Sequence, residues 1–216
     1  MFYAGKHSGV LRLGDVVRGF PLSWMAATPA EGGSVPREYR IEVQTPKFSA
    51  ILSPCCSIAS YGKSILLCPL IPVEKPWFKN PFFREDFTNV NRPLPPEKSV
   101  SPETLGTMTP DERLKHLASG EGFALLEYFV YAPHDLLERY DIGVPGEGRE
   151  EVGHYAIDFR RMFRVSCRGI KHPQELNDET MSSAKLLELS IEARAELRHK
   201  LGFYFNKPAR EDEIGD

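Results

Sequence analysis

The 216-residue chain has no G-x-x-x-x-G-K-[ST] phosphate loop, no G-x-G-x-x-G, no G-x-S-x-G elbow, no H-E-x-x-H and no paired C-x-x-C. These absences take away the usual signatures of nucleotide binding, serine hydrolysis and zinc coordination. The six histidines (His7, His116, His134, His154, His172, His199) stand singly, with no spacing that sets two on one face, so neither a metal nor another cofactor is expected. Long apolar runs are missing too. The longest, Ile65 to Leu67 with Cys68, Pro69, Leu70 and Ile71, falls far short of the roughly 20 residues that span a bilayer. The start, Met1-Phe2-Tyr3-Ala4-Gly5-Lys6-His7, lacks a signal peptide's charged n-region and apolar h-region, and a cytoplasmic protein is expected. Cysteine is scarce, at four residues, and the adjacency of Cys55 and Cys56 argues against a disulfide framework. With 27 Lys plus Arg against 30 Asp plus Glu, the net charge of −3 gives no overall attraction to nucleic acid or any other polyanion.

What remains is an ordinary globular composition, 41% hydrophobic and 26% charged, read as one domain over residues 1–216. Gly14-Asp15 marks a turn into Val16-Val17, and residues 26–37 read as a small, polar surface excursion. Arg40-Ile-Glu-Val-Gln44 alternates as a strand with one wet face. Phe48 to Leu52 and Ser64 to Cys68 are almost continuously apolar, as strands buried on both sides are. Phe123 to Tyr131 and His154 to Val165 read as two further strands, and Lys185 to Leu189 as a short one. Ser190 then caps an amphipathic helix over about 190–205, with Ala193, Leu197, Leu201 and Phe205 as its apolar stripe and Arg194 and Lys200 mostly off it. A second helix is expected to begin near Thr109-Pro110.

Half of the 18 prolines fall between Pro69 and Pro110, which excludes long regular elements there. This arm, about 74–110, carries Trp77, Phe78, Phe82, Phe83 and Phe87. Five aromatics left in water would make a large apolar patch, so they either dock a partner or fold back on the protein's own core.

Two features invite chemistry. Cys55-Cys56 could form a thiol or redox site, although a free cysteine more commonly fills space as a small hydrophobe. Arg160, Arg161, Arg164 and Arg168, interleaved with Phe159 and Phe163, could bind nucleic acid, although a solvated strand face paired to acids such as Asp158 explains them as well.

Gly14-Asp15-Val16-Val17, Ala50-Ile-Leu-Ser-Pro54 and Ile65-Leu-Leu-Cys-Pro-Leu-Ile71 follow the order of elements in the MazF/PemK-like toxins, and residues 10–73 resemble that family. The resemblance implies an SH3-like β-barrel. The expected fold is therefore α+β: a barrel core from about 10–73 plus 120–189, the Pro/aromatic arm as an insertion, and the C-terminal helix. It also implies ribonuclease activity, but Lys47-Phe48 stands where the family has Arg-Pro, and Leu70-Ile71-Pro72 where it has Thr or Ser. The C-terminal segment is similar to those of bacterial barrel proteins found among mobile and defence genes. The expected function is thus a non-catalytic protein-binding adaptor of a bacterial multiprotein system, with antiviral defence as its setting. The alternative is a divergent toxin-type endoribonuclease using Arg18, Lys47 or Ser53.

Overall fold

A computed structural model describes residues 1–6, 8, 10–18, 20–28, 38–53, 64–74, 83, 86–93, 109, 123, 125–144, 148–166 and 185–206. Within them the strands are β1 (Val16–Val17), β2 (Leu22–Thr28), β3 (Glu38–Gln44), β4 (Ser49–Ile51), β5 (Ser64–Pro69), β6 (Ile71–Pro72), β7 (Tyr128–Tyr131), β8 (Tyr140–Val144), β9 (Gly148–Val152), β10 (Tyr155–Asp158), β11 (Phe163–Ser166) and β12 (Lys185–Leu187). A 3₁₀ turn spans Phe87–Asn91, and helix α1 runs Ile191–Asn206. The chain divides into two compact units. One comprises Met1–Tyr3, Ile71–Arg160 and Leu189–Asp216, and the other Ala4–Leu70 and Arg161–Glu188.

The second of these units is built on a five-stranded sheet of order β11-β5-β4-β1-β12, every pairing antiparallel. Its entry turn needs glycine: Gly14 adopts φ 83°, a left-handed conformation that disfavours a side chain. Gly14 N–H donates to the Ile51 carbonyl at 2.7 Å, which locks the turn to β4. Leu11, Val17, Leu22, Ile51, Ile65 and Leu67 form the core, with Phe20, Phe163 and Val165 packed against it. Burying each large aliphatic contributes about 1.5–3 kcal/mol. The apolar runs around residues 48–52 and 64–68 are central strands, as expected.

The other unit pairs β6-β10-β7 in a three-stranded sheet and β8-β9 in a hairpin. Val73, Phe83, Phe87, Val90, Val130, Ile142, Val152 and Ala156 make its core. The proline-rich arm closes the free edge of β7 with a side chain. Asn91, fully buried, donates Nδ2 to the Val130 carbonyl at 2.6 Å and accepts the Val130 N–H on Oδ1 at 2.7 Å, the pair of bonds a neighbouring strand would make. Ser190 caps α1, its Oγ accepting the Ala193 N–H at 3.2 Å.

Three expectations are corrected. Among the described residues no closed barrel is found: β11 and β12 lie at opposite edges of the five-stranded sheet, and the other described strands are shared among three smaller antiparallel sheets. A barrel closes only when its edge strands pair with matched tilt and stagger, and β6, β7 and β10 pair with one another instead. Residues 154–165 are not one strand. A turn at Phe159–Met162 divides β10 from β11, and the two belong to different sheets. The helix stripe also differs: Ala193, Arg194, Leu197 and Lys200 are its buried residues, and Phe205 is exposed. The helix expected from Pro110 lies outside the described residues.

Candidate functional site

The least ordinary surface is the β2–β3 hairpin. Its seven pairs run without a bulge from Leu22↔Gln44 to Thr28↔Glu38. Directly opposed residues share a face, so Met25, Tyr39, Ile41 and Val43 lie on one side. They are 69, 61, 77 and 65% exposed. On the opposite face Leu22 is buried, and the Trp24 ring lies 5.7 Å from that of Phe163. The hairpin is anchored through one face while the other holds an apolar row in water. Arg40, Glu42 and Gln44, on the anchored side of β3, are exposed as well, so this strand is wet on both faces rather than on one.

In the same unit a buried charge cluster ties the N-terminal segment to β12. Lys185 Nζ lies 2.8 Å from Asp15 Oδ2 and 2.7 Å from Glu188 Oε2, and it also donates to the carbonyls of Ser8 and Val10 at 3.0 and 2.9 Å. The two carboxylates share one ammonium on unequal terms. Burial alone would raise the pKa of Glu188, but hydrogen bonds from Lys185 and from the N–H and hydroxyl of Ser8 outweigh it and bring the carboxyl to about 2. Asp15 is fully buried, and its Oδ1 has no partner among the described residues. Burial therefore prevails over Lys185 and raises it from 3.8 to about 6.

The unit containing α1 has an open cleft of about 380 Å³, lined in part by Asp86, Thr88, Arg92, His154 and Glu196. Arg92 Nε and Glu196 Oε1 are 3.5 Å apart there. His154 Nδ1 is buried without a hydrogen-bond partner among the described residues, and its ring meets Phe87 edge-on at 5.2 Å. Burial lowers its pKa against the pull of Asp86, which keeps the imidazole neutral at pH 7. Deeper in this unit, the fully buried Lys200 donates to the Val90 carbonyl and lies 5.4 Å from the Phe123 ring centroid. Burial holds its pKa well below the usual lysine value, with Glu127 working in the other direction.

Among the described residues, those singled out from the sequence have separate local settings. Phe83 and Phe87 are core residues, 2 and 5% exposed, so of the two roles open to the arm's aromatics these two take the inward one. Trp77, Phe78, Phe82, Cys55, Cys56 and Arg168 lie outside the described residues. Arg160 is held by Asp158 at 2.8 Å and by the Tyr128 hydroxyl at 2.6 Å, and Arg164 donates to Ser64 Oγ. Ser53 is buried and accepts the Leu66 N–H at 2.7 Å, while Arg18 and Lys47 are exposed. Among the described residues, no three His, Cys, Asp or Glu side chains gather as metal ligands, and no helix is long and apolar enough to cross a membrane.

Sequence reasoning missed the hairpin face, although Tyr39, Ile41 and Val43 at alternate positions were the available signal. It could not have found the Asp15–Lys185–Glu188 cluster, because Asp15 is far in sequence from the neighbouring pair Lys185 and Glu188. Compared with known proteins, the chain matches no family model, no curated protein and no solved structure.

Proposed function

We propose that this protein is a binding module that docks a partner protein on the apolar face of the β2–β3 hairpin. The observation that carries the reading is the row of Met25, Tyr39, Ile41 and Val43, four large apolar side chains contiguous on one face and all more than half exposed. Single exposed apolar residues are common, but a contiguous apolar row costs solubility and marks an interaction surface. Its aromatic, Met and β-branched content suits the apolar centre of a protein interface. Among the described residues no cation lies on that face, which disfavours a phosphate backbone or anionic lipid as its occupant. On the resemblance of the C-terminal segment, the partner is a component of a bacterial multiprotein system, with defence as its setting.

The test compares wild type with Met25→Asp in affinity purification from the native host. Met25 is exposed, so the variant should fold with an unchanged circular dichroism spectrum. The reading expects one stoichiometric protein with wild type that is lost with Met25→Asp. It fails if no such protein is recovered, or if the same protein is recovered equally with the variant.

A further inference from the structure

We infer that the outer edge of β3 pairs with the same edge of a second copy of this chain, antiparallel about a two-fold axis through Ile41. Among the described residues β3 has a neighbour on one side only, β2, so one row of its backbone N–H and C=O groups is unpaired. Proteins ordinarily guard such an edge with lysine, proline, a bulge or very short length. β3 has no lysine, proline or bulge, and it is seven residues long, Glu38-Tyr-Arg-Ile-Glu-Val-Gln44, with a regular ladder to β2. Its charges Arg40 and Glu42 are of opposite sign, so they repel a second copy only in some registers.

The side chains identify the occupant. With Ile41 opposite Ile41 of the second copy, Arg40 falls opposite Glu42, Glu42 opposite Arg40, Tyr39 opposite Val43, and Glu38 opposite Gln44. Every charged pair is then of opposite sign and every apolar residue meets an apolar one, as an isologous interface requires. Neighbouring registers fail. A two-residue shift sets Arg40 against Arg40 in one direction and Glu42 against Glu42 in the other, and a parallel arrangement in register does both at once. A one-residue slip puts Ile41 opposite Arg40. The strand's charge order thus selects one antiparallel register out of those its length permits.

Edge pairing would give a four-stranded sheet of order β2-β3-β3-β2 and bring the two copies' apolar faces into one surface twice as wide. It leaves that face open, so it adds to the proposed docking role without depending on it.

The experiment is light scattering across a concentration series on wild type, Arg40→Glu, Glu42→Arg, the double variant, and an equal mixture of the two single variants. Wild type is expected at twice the 24.4 kDa chain mass. Each single variant opposes like charges twice and is expected to run as a monomer. The double variant and the mixture restore opposite signs, and both are expected to return to the dimer mass. Unchanged circular dichroism confirms that these exposed positions leave the fold intact. A wild type that stays monomeric up to about 100 µM, which places any dimer Kd above that concentration, overturns the inference. So do single variants that dimerise like wild type, or a mixture that stays monomeric. Met25→Asp lies on β2, away from the edge, and keeps the dimer, so loss of the dimer and loss of the partner remain separate results.

Discussion

Replacing Asp15 by asparagine tests the buried charge cluster, because it removes a titration while nearly preserving shape. In the folded chain the Asp15 carboxyl titrates at about 6, against 3.8 when solvated. Between those values the folded state holds more proton than the unfolded state, so the stability this proton supplies is complete below about pH 3.8 and is lost as pH rises through about 6. At 1.36 kcal/mol per pH unit, the loss is about 3 kcal/mol. Glu188 has the opposite sign. Its carboxyl falls from 4.5 to about 2, so its contribution, also about 3 kcal/mol, is present above pH 4.5 and lost as pH falls through about 2. The unit should therefore be most stable near pH 4–5, below the range usual for proteins. Urea unfolding followed by Trp24 fluorescence, in a Trp77→Phe background that leaves one tryptophan, reads this unit directly. Relative to Asp15→Asn, wild type should lose about 3 kcal/mol between pH 3.5 and 7, a midpoint shift of about 1–3 M urea. Parallel pH profiles for the two proteins, or a difference that grows in the other direction, would refute the assignment of Asp15 as the poorly served member of the pair.

Three further outcomes are expected. Asn91→Ala strips both hydrogen bonds from the buried Val130 peptide and should destabilise its unit by about 3 kcal/mol in denaturant titration; a loss under about 1 kcal/mol would show that another group replaces the amide. Lys200 is protonated less readily in the folded state than in the unfolded one, so wild-type stability should climb as pH rises from 7 towards 10. Lys200→Met should abolish that climb, and equal slopes in the two proteins would contradict it. Incubated with total RNA, the protein should leave the RNA intact; cleavage that disappears with Arg18→Ala would put the toxin-type reading in place of the binding one.

The legible parts of the fold were those that local chemistry determines. Gly14-Asp15 announced a turn that requires positive φ, the apolar runs of β4 and β5 announced buried strands, and Ser190 announced the helix start. The illegible parts depended on contacts between distant segments. The aromatic and charged alternation of residues 154–165 continues through the turn at Phe159–Met162, so nothing local shows that β10 and β11 belong to different sheets. Asn91 looks like any loop residue until Val130 is placed beside it. Arg194 and Lys200 read as polar helix surface, yet both are buried, with side-chain nitrogens donating to the carbonyls of Leu189 and Val90. The hairpin face was readable as a strand and not as a site, because alternation with an apolar side normally signals burial.

On the binding-module proposal, Met25, Tyr39, Ile41 and Val43 face a protein in the cell. A photoreactive amino acid at position 25, irradiated in the native host, tests it most directly, with the half-exposed position 136 as control. A single cross-linked species is expected from position 25 and is expected to be absent from position 136. No product at position 25, or the same mixture of products from both positions, would contradict it.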